Sequence, residues 1–224
     1  MKKIICLTVA LLLCISMLAG CSKDNTPASD PENEEAQIVK NFDLEQEKVT
    51  AENVSPYEGL YVEDGTKETV SNVYAMKFTN NSDQAIRDAQ LIFSDGTQEL
   101  SFLIEMLPAG TSVIVGEENR TAVVSEAVQY VDGFVNYLEV GTVNNDAVKV
   151  TPNGDGTVSV ENVTEEFLPL VRVFYRSTDK DGNQLGGFCT STMVDGLEAG
   201  AVAVAEAEGW DDSTVVSMVL IVNE

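Results

Sequence analysis

The chain has no histidine, and only 13 lysines and arginines stand against 37 aspartates and glutamates. Without histidine it lacks the commonest general base and the commonest metal ligand. That excludes Ser-His-Asp and Cys-His nucleophile systems and histidine-ligated zinc. A formal charge of −24 excludes nucleic acid as a partner, because neutralising phosphates needs clustered Lys and Arg. A Gly-rich phosphate loop and a Gly-x-Ser-x-Gly elbow are also missing. After residue 20 no apolar run is long enough to read as a membrane span. What is present is a globular composition: 224 residues, 44% hydrophobic, with 16 Gly and 6 Pro. That length allows one or two domains.

Lys2 and Lys3 precede an apolar run from Ile4 to Ala19, short for a span but suited to the core of a signal peptide. The run ends in Leu18-Ala19-Gly20-Cys21, which resembles the lipobox of bacterial lipoproteins. The resemblance implies that residues 1–20 are removed as a signal peptide. It also implies that Cys21 carries covalent diacylglycerol, with further acylation such as palmitate. Several acyl chains anchor stably where one binds only marginally, so the expected location is the extracytoplasmic face of the cell membrane, at the cell envelope. Loss of Lys2 and Lys3 takes the charge from −24 to −26. Of the four cysteines, Cys6 and Cys14 leave with the signal and Cys21 carries lipid. Cys189 then has no disulfide partner. With no histidine to activate it, Cys189 reads as a small, mostly buried strand residue.

Residues 21–55 read as the lipidated cysteine and an acidic, disordered linker rich in Asp, Glu, Asn, Ser and Pro. As a flexible coil this tether holds the body about 30 Å from the anchor on average. Within it, Ile38, Val39, Phe42 and Leu44 lie at loosely helical spacing, which suggests a short helix over 36–47. Beyond residue 56 the pattern turns to alternation. Tyr74, Met76 and Phe78 share one face, with Ala75, Lys77 and Thr79 on the other. Leu100, Phe102, Ile104 and Met106 do the same, as do Val171, Val173 and Tyr175 against Arg172, Phe174 and Arg176. Val216, Met218, Leu220 and Val222 close the chain. Asn-, Asp-, Gly- and Pro-rich turns separate these runs, the signature of an all-β sandwich.

Landmarks recur in order. The first set is Asn81-Ser82, Gln90 to Phe93, Asp95-Gly96, Leu107-Pro108-Ala109-Gly110 and Val123-Val124-Ser125. The second is Asn162-Val163-Thr164, Val171 to Tyr175, Asp181-Gly182, Leu197-Glu198-Ala199-Gly200 and Val215-Val216-Ser217. An internal repeat of this kind predicts two tandem Ig-like antiparallel β-sandwiches, at 56–145 and 146–224, joined near Asn144-Asn145-Asp146. The second set, with Asp181-Gly182-Asn183 as its hairpin, resembles FxLYD-type and related Ig-like modules of Gram-positive surface lipoproteins. The departure is the eponymous Leu-Tyr-Asp string, which Val173-Phe174-Tyr175 only approximates. Such modules share fold more than function, so the resemblance implies a non-catalytic surface domain.

Each candidate for chemistry also has a plainer role. A calcium loop with Gly182 at its sixth position puts Ser177 first and Phe188 last. One with Gly156 there ends on Asn162. Neither has the bidentate glutamate that such loops need, so both read as hairpin turns, and no metal or other cofactor is expected. Ser177-Thr178-Asp179-Lys180 fits a Ser-x-x-Lys pattern without its partner motifs. Glu117-Glu118 and Glu165-Glu166 are adjacent pairs that do not face across a cleft as glycosidase carboxylates do, and they read as solvated loop charge. Trp210, the sole tryptophan, either packs over the end of its sandwich or offers a ring to a ligand. The sequence therefore predicts a non-enzymatic envelope lipoprotein that binds a protein partner and favours cationic surfaces. A glycan-binding module acting through Trp210, or a cell-wall hydrolase, is the alternative.

Overall fold

The computed structural model describes residues 40–223. They form sixteen strands and one 3-10 turn, Asn145–Ala147. The first nine strands are β1 (Asn41–Leu44), β2 (Val49–Asn53), β3 (Tyr57–Tyr61), β4 (Glu68–Val73), β5 (Ala75–Asn80), β6 (Ile86–Ser94), β7 (Glu99–Leu107), β8 (Ser112–Gly116) and β9 (Gln129–Tyr137). The rest are β10 (Thr142–Val143), β11 (Val148–Pro152), β12 (Thr157–Asn162), β13 (Leu168–Thr178), β14 (Gln184–Leu197), β15 (Val202–Glu206) and β16 (Thr214–Val222). The chain is all-β with Ig-like sandwich packing.

Alternation drives each half to a two-layer core. In the first half, β1-β2-β5-β8 faces β7-β6-β9, and in the second β11-β12-β15 faces β14-β13-β16-β10. Tyr74, Met76, Phe78, Leu100, Phe102 and Ile104 are fully buried, as the alternation required. Phe93 sits centrally in the first core, with ring centroids 5.1 Å from Phe42, 5.8 Å from Phe102 and 5.6 Å from Tyr130. Edge-to-face pairs of this kind add about 0.5–1.5 kcal/mol each beyond area burial. The second core is built from smaller residues, chiefly Val158, Val160, Val171, Val173, Val194 and Val219.

The repeat is physical, and its register is sharper than the landmarks suggested. Asn80 and Asn162, both fully buried, make matching bonds. The Asn80 side-chain amide donates to the carbonyls of Gln84, Leu107 and Pro108. That of Asn162 donates to Glu166, Leu197 and Glu198. Their oxygens accept from the backbone and hydroxyl of Ser82 and Thr164 respectively. The first landmark is thus Asn80, not Asn81. Asp95 matches Asp179 rather than Asp181, since each caps its hairpin through backbone N–H groups. Val123-Val124-Ser125 does not match Val215-Val216-Ser217, because it lies in the loop before β9 while the latter lies in β16.

Residues 41–53, assigned to the tether and in part to a helix, form β1 and β2. Leu44 is buried and Phe42 packs on the first core. Met106 falls out of phase because its φ is +47°. This left-handed residue rotates the strand so that Leu107 takes the core position. Gly196 (φ +68°) occupies the same place before Leu197. Phe174 and Arg176, on the strand face opposite Val171, Val173 and Tyr175, are buried as well. For Phe174 the reason is a third core, in which Phe174, Met218 and Leu220 of the second half pack with Ala85, Met106 and Leu138 of the first. One sheet also runs through both halves, because β8 pairs with β14 in parallel at Ile114 and Leu185.

Candidate functional site

Two features stand out once the strands are in place: a polar junction between the halves and an open edge on the second. The junction is strapped by the β3–β4 hairpin. Its Tyr61 hydroxyl donates to the Glu117 carbonyl (2.8 Å) and its ring lies under Arg120. Arg120 also pairs with Asp64 and Glu68. On the other side Lys67 reaches the Gly209 carbonyl and Asp211.

Glu63, at the bend of the hairpin, accepts from Gly116 N–H with one oxygen and from Gly187 N–H with the other, each at 2.8 Å. Gly116 ends β8 and Gly187 lies in β14, so one carboxylate spans both halves. Burial pushes its pKa up to about 7. The two N–H groups and the nearby Arg176 oppose that rise. Arg176 is buried and donates to the carbonyls of Gly186, Gly187 and Phe188 in β14 and of Glu105 in β7. Gly187 must be glycine, because a Cβ there would sit 1.7 Å from the Leu103 carbonyl oxygen.

A cleft of about 380 Å³ opens beside this junction, lined by Glu63, Lys67, Tyr175, Arg176, Phe188 and Cys189 among others. Burial also pushes the Cys189 thiol up, the opposite of what a nucleophilic thiolate needs. Glu63 has both oxygens engaged by backbone amides. The cleft therefore presents held groups and no pair poised for nucleophilic attack.

Of the strands that end a sheet, β15 carries the exposed valines Val202 and Val204. It pairs only with β12, and its other side has no strand beside it among the described residues. Asn162 N–H donates to Ala201 and Ala207 N–H donates to Gly156. Antiparallel alternation then puts Ala203 and Ala205 in the ladder and turns the amides and carbonyls of Val202, Val204 and Glu206 outward. The Val202 and Val204 side chains are 58% and 67% exposed. The matching strand of the first half, β8, has its outward positions in use: Ile114 faces β14, and Gly116 N–H is taken by Glu63.

The residues singled out in the sequence are dispersed. Cys21 lies outside the described residues. Trp210 is half-buried against the second core, with its ring centroid 4.8 Å from that of Tyr175. Cys189 is half-buried in β14. Glu117 is not solvated loop charge: it is 1% exposed, and its carboxylate accepts from Asn119 and Thr121 to close its own turn. Glu165 and Glu166 are exposed. Asp155 and Asp179 accept from their own turns. Among the described residues no three of Cys, Asp and Glu converge as metal ligands would. The sequence reading missed Glu63, Arg176 and β15. Only β15 left a local trace, in Val202-Ala203-Val204-Ala205, where the larger side chain takes the outward position.

No protein family, no curated protein and no solved structure matches this chain.

Proposed function

We propose that this chain is a lipid-anchored protein of the extracytoplasmic membrane face whose folded body binds a protein partner without catalysis. The observation that carries the binding reading is the β15 edge, with two exposed valines and a row of backbone groups that pair with no strand among the described residues. An apolar strand edge left open is a template for another chain, and proteins with no use for one blunt it with Lys, Pro or a covering loop. The anchor rests on Leu18-Ala19-Gly20-Cys21 and its resemblance to a lipobox. The raised thiol pKa of Cys189 and the engaged oxygens of Glu63 favour binding over hydrolysis.

The test is crosslinking of the anchored protein in its own envelope, followed by purification, comparing the wild type with Val202→Lys/Val204→Lys. A specific partner captured by the wild type and lost from the double variant is the expected result. Equal capture by both counts against the edge. Cys21→Ala should release the protein or leave it unprocessed, and unchanged membrane retention refutes the anchor.

A further inference from the structure

We propose that the open edge of β15 receives an extended, cationic segment of the partner protein, which adds as the next strand beyond Val202, Val204 and Glu206. This deepens the protein-binding reading above and rests on it.

The first half of the chain displays the occupied form of the same edge. By the Asn80–Asn162 equivalence, Ser112, Ile114 and Gly116 of β8 match Val202, Val204 and Glu206 of β15. The ladder bonds agree: Asn80 N–H donates to Thr111 and Glu117 N–H donates to Tyr74, which leaves Ser112, Ile114 and Gly116 turned outward. There the next position is filled by an extended segment, β14, with Leu185 opposite Ile114. A carboxylate takes the last outward amide. The edge geometry that accepts an extended segment in one half recurs open in the other.

The sign of the occupant follows from what borders the edge. Glu161 lies across from Val202 on β12, Glu206 ends β15, and Glu198 and Glu208 flank the strand. The only basic residue in this sheet is Lys149, on β11, two strands from the edge. A second copy of this chain would bring Glu206 and Glu161 against the same acids, between bodies that each carry a large negative charge. Like-charge juxtaposition disfavours self-pairing. Val202, Val204 and Glu206 share one face with Glu161, so an added strand that sets apolar and basic side chains at every second position meets the valines and the carboxylates on that same face. Backbone bonds supply affinity and the side chains select.

The test uses the full chain with a short peptide in which Thr occupies every second position and Val and Lys take the positions between, so that Val and Lys share one face, and its Val–Glu counterpart. Amide hydrogen exchange is the readout. The Val–Lys peptide should slow exchange at Val202, Val204 and Glu206 and leave Ala203 and Ala205, already in the ladder, unchanged. The Val–Glu peptide should bind at least about tenfold more weakly, and raised salt should weaken the Val–Lys complex. Val204→Pro removes one outward N–H and no ladder bond, so it should fold and lose the peptide. An unchanged melting curve for this variant verifies the fold.

Equal protection by both peptides overturns the inference, as does no protection by either. Concentration-dependent dimers that protect the same three amides without peptide overturn it too. If the peptides fail while Val204→Pro still abolishes capture in the envelope, the cationic occupant falls and the binding edge stands. If capture survives Val204→Pro, the edge reading itself falls.

Discussion

Asn80 and Asn162 each hold a turn from the inside, and each is fully buried. Replacing either by Ala strands a buried carbonyl, that of Leu107 in one half and of Leu197 in the other, an effect worth about 1–3 kcal/mol per buried unsatisfied group. Asn80→Ala and Asn162→Ala should therefore each cost about 2–4 kcal/mol in urea unfolding, with similar losses because the bonds match. Glu63 sets a different dependence. Its folded pKa, about 7, lies above its ordinary 4.5, so the folded state holds a proton that the unfolded state releases. Its contribution is fully present below pH 4.5, falls as pH rises, and is gone above about 7. The span is on the order of 3 kcal/mol at about 1.4 kcal/mol per pKa unit. The stability difference between wild type and Glu63→Gln should shrink or reverse across that window, and a flat difference would refute it. The turn role of Asn162 was readable because its hydroxyl partner is two residues away. Glu63 was unreadable because its partner amides are 53 and 124 residues away.

At the scale of elements, β13, β14 and β16 are coated on both faces over part of their length. Val173, Val219 and Ile221 face the second core, whereas Phe174, Met218 and Leu220 face the first half. Period-2 reading located β13 and β16 and left open what lies against each face, because alternation says which residues share a face and not what covers it. β14 approaches β7 so closely at Gly187 that no side chain fits. Gly187→Ala should cost about 3 kcal/mol or more, read as a lowered urea midpoint, because backbone must move to admit the methyl group. A loss below about 1 kcal/mol would mean that the two strands separate easily.

For the whole molecule, the third core and the shared sheet predict that the halves unfold together. Trp210, the only tryptophan, sits in the second half, so its fluorescence follows that half while far-ultraviolet circular dichroism follows both. The two probes should give coincident urea transitions for the wild type. Met218→Ala removes a fully buried side chain from the shared core and should cost about 2–5 kcal/mol. It should also separate the two curves. Separate curves in the wild type would mean that the joint does not couple the halves. Trp210 emission should also stay unchanged with cell-wall oligosaccharides, since the ring is half-buried beside Tyr175. A shift would favour the glycan reading.

Strand alternation, turn chemistry and the recurrence of landmarks were enough for the all-β class and the repeat, because each depends on residues a few positions apart. The same local rules fixed the positions of Asp95, Gly110, Asp179 and Gly200 in turns. The strands at 41–53 escaped because two short segments among polar residues carry little periodicity, and their partners lie further along the chain. What only the tertiary structure decided is which surfaces are spent. It buried the second face of β13 and β16, bound Glu63 to both halves, and filled the edge of β8 while leaving that of β15 open. Sequence spacing orders side chains along a strand, but the neighbour across an edge or a face is chosen by segments far away in the chain.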